Sequence, residues 1–334
     1  MKVALDAMGG DFAPEMTISG ALEAVSEYDM EVVLVGDRQR LAAVLRDKRY
    51  PSNRISIAHA SEVVEMHESP STALRKKKDS SIRRTIELVK HGDADAGVSA
   101  GHSGVAMATA LFLLGKSPNV DRPAIATIMP SLKGFFVLID AGANVDCKPE
   151  NLLQFAYMGN AYYRAIFNVA EPRIALLSIG EEDTKGNELT KEAFKALKGA
   201  RLNFTGNIEG KDLFVGDADV IVCDGFIGNI VLKVSEGLAE TIIKMLKREI
   251  ADVATGKLAY LMIKPAVRNF KKKTDYSEYG GAPLLGINGT FIISHGRSSS
   301  KAIKNAIKVA AEMAKQRVHE VIADTLTAAA ADHS

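Results

Sequence analysis

Five segments rich in glycine and polar residues each follow a short apolar run, where they could bind an anion. They are residues 6–11, 99–104, 140–146, 180–188 and 224–229. Glycine leaves backbone N–H groups uncovered, and free N–H groups at a helix start attract negative charge. Tight strand-to-helix turns need glycine in any case, so one such segment alone means little. Five of them, with Asp, Asn, Ser or Lys side chains, favour a phosphate-sized pocket.

Short β-branched runs alternate with longer amphipathic stretches along the chain. The runs predicted as strands are residues 3–5, 32–35, 55–57, 124–129, 135–139, 174–177 and 220–222. Apolar spacing near 3.6 predicts helices, for example over 152–166, 238–250 and 302–322. This alternation predicts an α/β fold with a largely parallel sheet, in which ligands bind beyond the carboxyl ends of the strands.

Length and composition narrow the classes of protein to which the chain can belong. The 334 residues allow one large or two medium domains, and 47% hydrophobic residues are ample for a core. A net charge of +1 argues against nucleic acid as a partner. Two cysteines, Cys147 and Cys223, are too few for a disulfide framework and fit a cytoplasmic location. No apolar run reaches the roughly 20 residues of a membrane-spanning helix, so we expect no spanning or export segment.

Several cofactor motifs are absent or incomplete. Residues 110–117 are similar to a P-loop, but Ala110 replaces its first glycine and bulky apolar residues follow. We therefore predict a core helix that ends at Gly115. No strand is followed by the glycine pattern of dinucleotide-binding folds, and no HExxH or paired-cysteine motif occurs. We expect no cofactor and no metal.

A set of motifs in order along the chain resembles the phosphate acyltransferase family of bacterial phospholipid synthesis. The motifs are residues 6–11, 73–81, 99–101, 142–146, 185–188, 224–229, 279–282 and 295–296. The resemblance extends over a single family unit, residues 1–325. It implies reversible transfer of a fatty-acyl group from acyl carrier protein to inorganic phosphate.

The resemblance also implies a fold. We expect a homodimer whose chain is like isocitrate and isopropylmalate dehydrogenases, with two α/β domains and a cleft between them. The predicted sub-domains are residues 1–145 plus 290–334 and residues 146–289, the second with a basic amphipathic hairpin at 254–273. At His102 and Ser103 the sequence departs from the Asn-Thr of many relatives, so His102 is expected to line the pocket.

Phosphate is itself a nucleophile, so the hypothesis needs no acylated side chain. The protein must align phosphate with the thioester carbonyl and stabilise the developing oxyanion. Lys185 could neutralise phosphate or the oxyanion, and Asn229 could donate a hydrogen bond at a helix start. Each residue also has an interpretation without a catalytic role. Lys185 could be an exposed loop lysine, and Asn229 could be a helix cap.

The remaining candidates for binding phosphate or the acyl group lie in or near the same turns. They are Asp6, Gly10, Arg75, Lys78, Ser99, Gly101, His102, Ser103, Asn144, Asp146, Gly186, Asn187, Asp224 and Gly228. Arg75 and Lys78 are the candidate anion clamps. Asp6, Asp146 and Asp224 are expected to hold those cations and the turns in place.

Two charged segments are candidate docking surfaces. The cations of residues 75–78, with Arg83 and Arg84, form either a solvated helix face or a patch that attracts the acidic carrier protein. Residues 257–273 combine six cations with an apolar face and fit a dimer contact or peripheral membrane binding. The apolar residues expected there are Leu258, Leu261, Met262, Val267 and Phe270. Membrane contact would allow hand-off to a membrane glycerol-3-phosphate acyltransferase.

Three alternatives stay open at this stage. One is a phosphate acetyltransferase that uses coenzyme A thioesters, and another is a metal-dependent hydroxyacid dehydrogenase that shares the implied fold. The third is a non-catalytic membrane scaffold. The dense polar turns argue against a scaffold, and the missing coenzyme pattern argues against a dehydrogenase.

Overall fold

Strands and helices alternate along the chain in the computed structural model, which describes residues 1–252, 265 and 279–331. The strands within these ranges are β1 (Lys2–Asp6), β2 (Glu31–Gly36), β3 (Ile55–His59), β4 (Ala96–Ser99), β5 (Ala124–Ser131), β6 (Gly134–Ile139), β7 (Ile174–Ser178), β8 (Phe204–Glu209), β9 (Val220–Val222), β10 (Ala282–Leu285) and β11 (Phe291–Ile293). All seven predicted strands are confirmed within one or two residues of their ends. β4, β8, β10 and β11 are additional.

The helices of the described ranges connect these strands. They are α1 (Glu15–Glu27), α2 (Arg38–Leu45), α3 (Pro70–Lys76), α4 (Ser81–Lys90), α5 (Ser103–Leu114), α6 (Pro149–Phe167), α7 (Glu188–Lys198), α8 (Gly225–Asp252), α9 (Ser300–Lys315) and α10 (Val318–Ala331). Helix α5 is followed by Gly115, which has a positive φ of 77° and confirms the predicted end of the core helix. The predicted helix over 302–322 is two helices, because Arg317 adopts a left-handed φ of 51° between them.

The strands form one mixed sheet in the order β3-β2-β1-β4-β11-β10-β5-β6-β9-β7-β8. One end, from β3 to β11, is parallel, and so is the other end, from β6 to β8. Antiparallel pairing of β11 with β10, β10 with β5 and β5 with β6 joins the two ends. The predicted α/β class is confirmed, with antiparallel strands at the centre of the sheet.

Apolar side chains on both faces of the sheet bury the core. The strands from Val3 to Leu5 and from Val220 to Val222 are buried throughout, as expected for two-sided parallel strands. Helix α6 contributes the fully buried Phe155 and Tyr162. Helices α1 and α9 pack together, as do α6 and α10. Packing on both faces leaves the loops at the strand ends to carry the polar residues.

One strand pairing of the sheet joins the two predicted sub-domains. The predicted boundary after residue 145 separates β6 from β9, whereas the two strands pair over Val137–Ile139 and Val220–Val222. The division of the chain into two sub-domains stays a prediction. Leu258, Leu261, Met262, Val267 and Phe270 lie outside the described residues. Within the described ranges, no helix is long and apolar enough to cross a membrane.

Candidate functional site

A buried carboxylate connects the ends of β1 and β4. Asp6 and Ser99 are register partners at these ends. Ser99 Oγ donates to Asp6 Oδ2 at 2.7 Å and accepts from the backbone N of Gly101 at 3.0 Å. Asp6 is 2% exposed. Burial raises its pKa, and hydrogen bonds from Ser81 and Ser99 oppose this shift. We call Asp6, Ser81, Ser99 and Gly101 the Asp6 cluster.

The glycines after β1 allow three strand ends to meet closely. A Cβ on Gly9 would lie 2.5 Å from Asp6 Oδ2 and 2.8 Å from the Gly101 nitrogen. Gly10 has a φ of 108°, and the next residue, Asp11, donates its N–H to the Gly296 carbonyl at 2.8 Å. The turn after β1 is therefore fixed against the turns after β4 and β11.

His102 and Ser103 begin helix α5 beside the Asp6 cluster. His102 Nδ1 accepts the N–H of Val105 at 3.3 Å, so the imidazole caps the helix. A small pocket here is lined by Asp6, Gly9, Val63, Val64, Ser81, Ile82, Gly101 and His102. The structure thus places His102 at a pocket wall, where one ring nitrogen is already used for capping. Ser103 is exposed at the first position of the helix.

The cations at the end of α3 differ in what they contact. Lys77 hydrogen-bonds to the Val63 carbonyl and to Glu68, so it holds its own loop. Arg75 and Lys78 are exposed and have no ion pair within the described part of the chain. At the other end of α3, Pro70 approaches Gly104 in α5. Arg75 and Lys78 are not among the residues that line the His102 pocket.

A second buried carboxylate organises the turn after β6. Asp140 is fully buried, and its Oδ1 accepts from the N–H groups of Ile125, Gly142 and Ala143 at 3.0–3.1 Å. Its Oδ2 accepts from Ala143 and from both nitrogens of Asn144. Burial raises the pKa of Asp140, and the hydrogen bonds from Ala143 and Asn144 oppose that shift.

The start of α8 is fixed to this turn. Gly225 donates its N–H to the Asn144 carbonyl at 2.7 Å, and a Cβ on Gly225 would lie 2.8 Å from Asp140 Oδ2. A Cβ on Gly228 would overlap the Asp140 carbonyl oxygen. The Asn229 side chain lies against Gly142, whose φ is 135°. We call Asp140, Gly142, Asn144, Gly225, Gly228 and Asn229 the Asp140 cluster.

Asp224, Asp146 and Asn229 have distinct positions around this cluster. Asp224 Oδ1 accepts the N–H of Ile227 at 2.9 Å and caps α8. Asn229 is exposed on the second turn of the helix and is not its cap. Asp146 is exposed, and its carbonyl accepts from Arg122 at 3.1 Å.

Lys185 lies in an exposed loop after β7. Its stem packs over Gly180, where a Cβ would be 2.8 Å from Lys185 Cγ. Its Nζ has no hydrogen bond or ion pair within the described ranges. Gly186 follows with a φ of 112°, and Asn187 Oδ1 accepts the N–H of Thr190 at 2.9 Å and caps α7. The loop therefore presents an exposed ammonium group ahead of a helix start.

The two clusters lie on opposite edges of the sheet. The three antiparallel pairings between β11 and β6 reverse the strand direction, so the carboxyl ends of β1 and β4 lie opposite those of β6, β9 and β7. Helix α8 connects the edges. Burial lowers the pKa of His295, which follows β11. Lys233 of α8 lowers this pKa further, whereas Glu236 of α8 and Asp11 raise it. The five polar turns thus form two groups rather than one ring.

Comparison with known proteins identifies the family. A family model described as "Fatty acid synthesis protein" matches residues 1–321. Phosphate acyltransferase from Thermodesulfovibrio yellowstonii is 64% identical over 326 residues, which are 98% of this chain and 94% of that protein. The chain belongs to the phosphate acyltransferase family. Phosphate acyltransferase from Pelotomaculum thermopropionicum is 52% identical over 98% of this chain and 95% of its own length.

Solved structures share the fold of this phosphate acyltransferase family member at low identity. A phosphotransacetylase from Streptococcus pyogenes has a TM-score of 0.66 and 20% identity, with 94% of each chain covered. A 4-hydroxythreonine-4-phosphate dehydrogenase from Klebsiella pneumoniae has a TM-score of 0.55 and 16% identity, with 94% of this chain and 99% of that chain covered. Membership of the family makes the chain an acyltransferase of fatty acid synthesis, and a dehydrogenase shares its fold. The likeness to isocitrate and isopropylmalate dehydrogenases stays a prediction.

Sequence reasoning missed Asp140 and Ser81 as organising residues of this acyltransferase. Asp140 opens one of the five polar segments, but its pattern does not distinguish it from Asp224, which only caps a helix. Ser81 starts α4, and only the fold brings it to Asp6. No group of three or more metal-ligating side chains occurs in the described ranges.

Proposed function

We propose that the acyltransferase moves a fatty-acyl group from acyl carrier protein to inorganic phosphate. The product would be an acyl phosphate, which supplies the acylation of glycerol 3-phosphate in phospholipid synthesis. The observation that carries this proposal is the match over nearly the whole chain to phosphate acyltransferases, at up to 64% identity among those compared. The shared fold of phosphotransacetylases adds support.

The reaction needs orientation and charge stabilisation more than an enzyme nucleophile. A phosphate oxygen attacks the thioester carbonyl, the new C–O bond forms, and the C–S bond breaks. The leaving thiolate takes up a proton from phosphate or water. Burial raises the pKa of Cys147 to about 11, and Cys223 is buried, so neither thiol is suited to attack in place of phosphate.

Lys185 and Asn229 are the proposed catalytic residues. The Lys185 ammonium group is exposed and not engaged within the described residues, so it is available to a phosphate dianion. Asn229 is fixed on a helix whose start is hydrogen-bonded to the Asp140 cluster. An amide N–H donor directed at the developing charge is the kind of group that stabilises an oxyanion.

Arg75 and Lys78 are the proposed contacts for the acidic carrier protein. They are exposed, whereas Arg83 and Arg84 of the same predicted patch are in ion pairs with Glu87. The patch that can attract a carrier is therefore smaller than its sequence indicates. Charges already paired add little to long-range attraction.

The proposal includes a cytoplasmic homodimer. Helix α8 carries exposed apolar residues spaced three or four apart, which form a stripe along one face: Ile227, Ile230, Val234, Leu238, Ile242 and Met245. A contiguous apolar face of this size supports burial in an interface. Peripheral membrane binding through 254–273, with hand-off to a membrane acyltransferase, completes the proposal.

The deciding experiment is a thiol-release assay with palmitoyl acyl carrier protein, with and without phosphate. The proposal expects phosphate-dependent release and an acyl phosphate that hydroxylamine traps. Phosphate-independent release, or release without the mixed anhydride, would contradict it. The same assay with palmitoyl coenzyme A tests the alternative donor, because a coenzyme A enzyme would use it at least as fast.

A further inference from the structure

An asparagine of strand β8 is hydrogen-bonded to the loop that carries Lys185. This loop, residues 179–187, connects β7 with α7, and we call it the Lys185 loop. Within it the Glu182 carbonyl accepts the backbone N–H of Lys185 at 3.0 Å and the Nδ2 group of Asn207 at 3.0 Å. Asn207 is the register partner of Leu176 in β7. The turn that places the Lys185 backbone is therefore bonded to a neighbouring strand.

Two other polar contacts of the Lys185 loop are weaker than this bond. Asp183 Oδ2 pairs with Lys198 Nζ at 3.0 Å, but the two side chains are 59% and 67% exposed, and exposed ion pairs add little to stability. Ser178 Oγ lies 3.5 Å from the Lys185 carbonyl oxygen, which is long for a hydrogen bond. The half-buried Asn207 side chain thus gives the loop its better-formed contact with the sheet.

The amide group of Asn207 has one favourable orientation. Its Nδ2 donates to the Glu182 carbonyl, whereas its Oδ1 is buried and accepts no hydrogen bond from the described residues. A reversed amide would bring Oδ1 against the Glu182 carbonyl oxygen, and both atoms are acceptors. A buried oxygen without a donor lowers stability, so stability alone does not account for an asparagine here. What the amide provides is a donor to the Lys185 loop.

Lys185 is fixed at two points below its ammonium group. Its backbone N–H closes the turn with Glu182, and its stem packs over Gly180, where a Cβ would lie 2.8 Å from Lys185 Cγ. The ammonium group extends into solvent from these two points. Catalysis by a charged group depends on its being in place beforehand, and a misplacement of about 1 Å can lower a rate about 100-fold. A shift of the Glu182 turn would cause such a misplacement.

We propose that Asn207 is a positioning residue of the acyl transfer, which fixes the Lys185 ammonium group through the Glu182 carbonyl. This inference rests on the proposed function, in which Lys185 contacts phosphate or the developing oxyanion. Asn207 contacts neither substrate and acts through Lys185. Its loss therefore lowers kcat and leaves the KM for acyl carrier protein unchanged.

The test compares two asparagines from the two ends of β8. Asn207→Ala removes the donor to the Lys185 loop. Asn203→Ala is the matched control, because Asn203 Nδ2 also donates to a loop carbonyl, that of Glu171 at 3.1 Å, at the end of β8 away from Lys185. We expect Asn207→Ala to lower kcat roughly tenfold with KM within about twofold, and Asn203→Ala to change neither by more than about twofold. Urea unfolding checks that both variants are folded.

Two further variants separate positioning from a role in folding. In a Lys185→Ala background the ammonium group is gone, so adding Asn207→Ala should change the remaining rate by less than about twofold. A residue that only supports the fold would lower the rate by the same factor in both backgrounds. Asn207→Asp keeps the side-chain shape without the donor at neutral pH, so it should be no more active than Asn207→Ala.

Four results would overturn the inference. They are a kcat of Asn207→Ala within twofold of wild type, an equal loss in Asn203→Ala, an equal further loss in the Lys185→Ala background, and full activity of Asn207→Asp. The wild type is assayed first, with and without phosphate. Thiol release that does not depend on phosphate in the wild type would remove the proposed function itself, so the two failures are distinguishable.

Discussion

Asp140 holds Asn144 by two hydrogen bonds, because its Oδ2 accepts from the backbone N at 2.7 Å and from Nδ2 at 2.9 Å. The same Nδ2 group donates to the Pro123 carbonyl at 2.8 Å, and the Asn144 carbonyl accepts from Gly225 at 2.7 Å. Asn144 therefore connects the buried carboxylate with the turn before β5 and the start of α8. The candidate Asn229 depends on this connection for its position.

Removal of the buried carboxylate should destabilise the protein. We expect Asp140→Ala to lower the free energy of unfolding by about 3 kcal/mol or more, because several buried N–H groups lose their acceptor. Urea unfolding measures the change. Asp146→Ala is the control, since removal of this exposed carboxylate should change the free energy of unfolding by less than about 0.5 kcal/mol. Equal effects of the two substitutions would contradict the assigned role of Asp140.

Alanine substitutions at two glycines of α8 should change the stability of the protein in opposite directions. Gly228→Ala places a methyl group on the Asp140 carbonyl oxygen, so we expect a loss of at least about 2 kcal/mol from overlap and backbone shift. Gly237 has nothing within 4 Å of a Cβ, so Gly237→Ala should add about 0.5–1 kcal/mol through helix propensity. Thermal unfolding of both variants measures the two changes in stability. A stable Gly228→Ala protein would show that α8 does not lie this close to Asp140.

The thiols should have no part in catalysis. Burial raises the pKa of Cys147 to about 11, so its thiolate fraction at pH 8 is about 0.1%. We expect iodoacetamide to label it slowly, about tenfold faster for each pH unit between 7 and 10. The Cys147→Ser and Cys223→Ser double variant should keep its turnover. A folded double variant without activity would favour an acyl-enzyme instead.

Most of the sheet could be predicted from the sequence, and four strands could not. The strands that were predicted, such as Val32–Val35, are β-branched and buried, so their pattern is local. β4 is Ala-Gly-Val-Ser, and β11 has three residues. β4 pairs with β1, and β11 pairs with β4, and in each pair the two strands are distant in sequence. Arg317 ends a helix with a left-handed residue that no local motif marks.

The residue types of the site could be predicted from the sequence, but which turns lie together at one edge of the sheet could not. Polar glycine turns after strands were correctly placed as turns, because glycine and polar residues at strand ends are a local signal. The division into two edges depends on the three antiparallel pairings at the centre, which no local pattern encodes. Asp140 and Asp224 have the same local appearance, and only burial separates a carboxylate that organises a turn from one that caps a helix.

The exposed cations of α3 should govern the encounter with the carrier protein. We expect Arg75→Glu with Lys78→Glu to raise the KM for acyl carrier protein roughly tenfold at low salt, because attraction becomes repulsion. The difference from wild type should shrink as salt rises. Lys48→Glu is the control, since Lys48 is exposed before β3, on the other edge. A KM that is unchanged in the double variant would place carrier docking elsewhere.

Lys185 should be required for turnover and dispensable for folding. We expect Lys185→Ala to lower kcat at least about 100-fold, the usual cost of a lost charge or donor at the oxyanion. Its unfolding midpoint should stay unchanged, because the Nζ group holds no other described residue. Lys191→Ala is the matched control, as Lys191 is exposed on the adjacent α7 and its removal should leave kcat within twofold. Steady-state rates at saturating phosphate measure both, and near wild-type turnover of Lys185→Ala would exclude this lysine from the reaction.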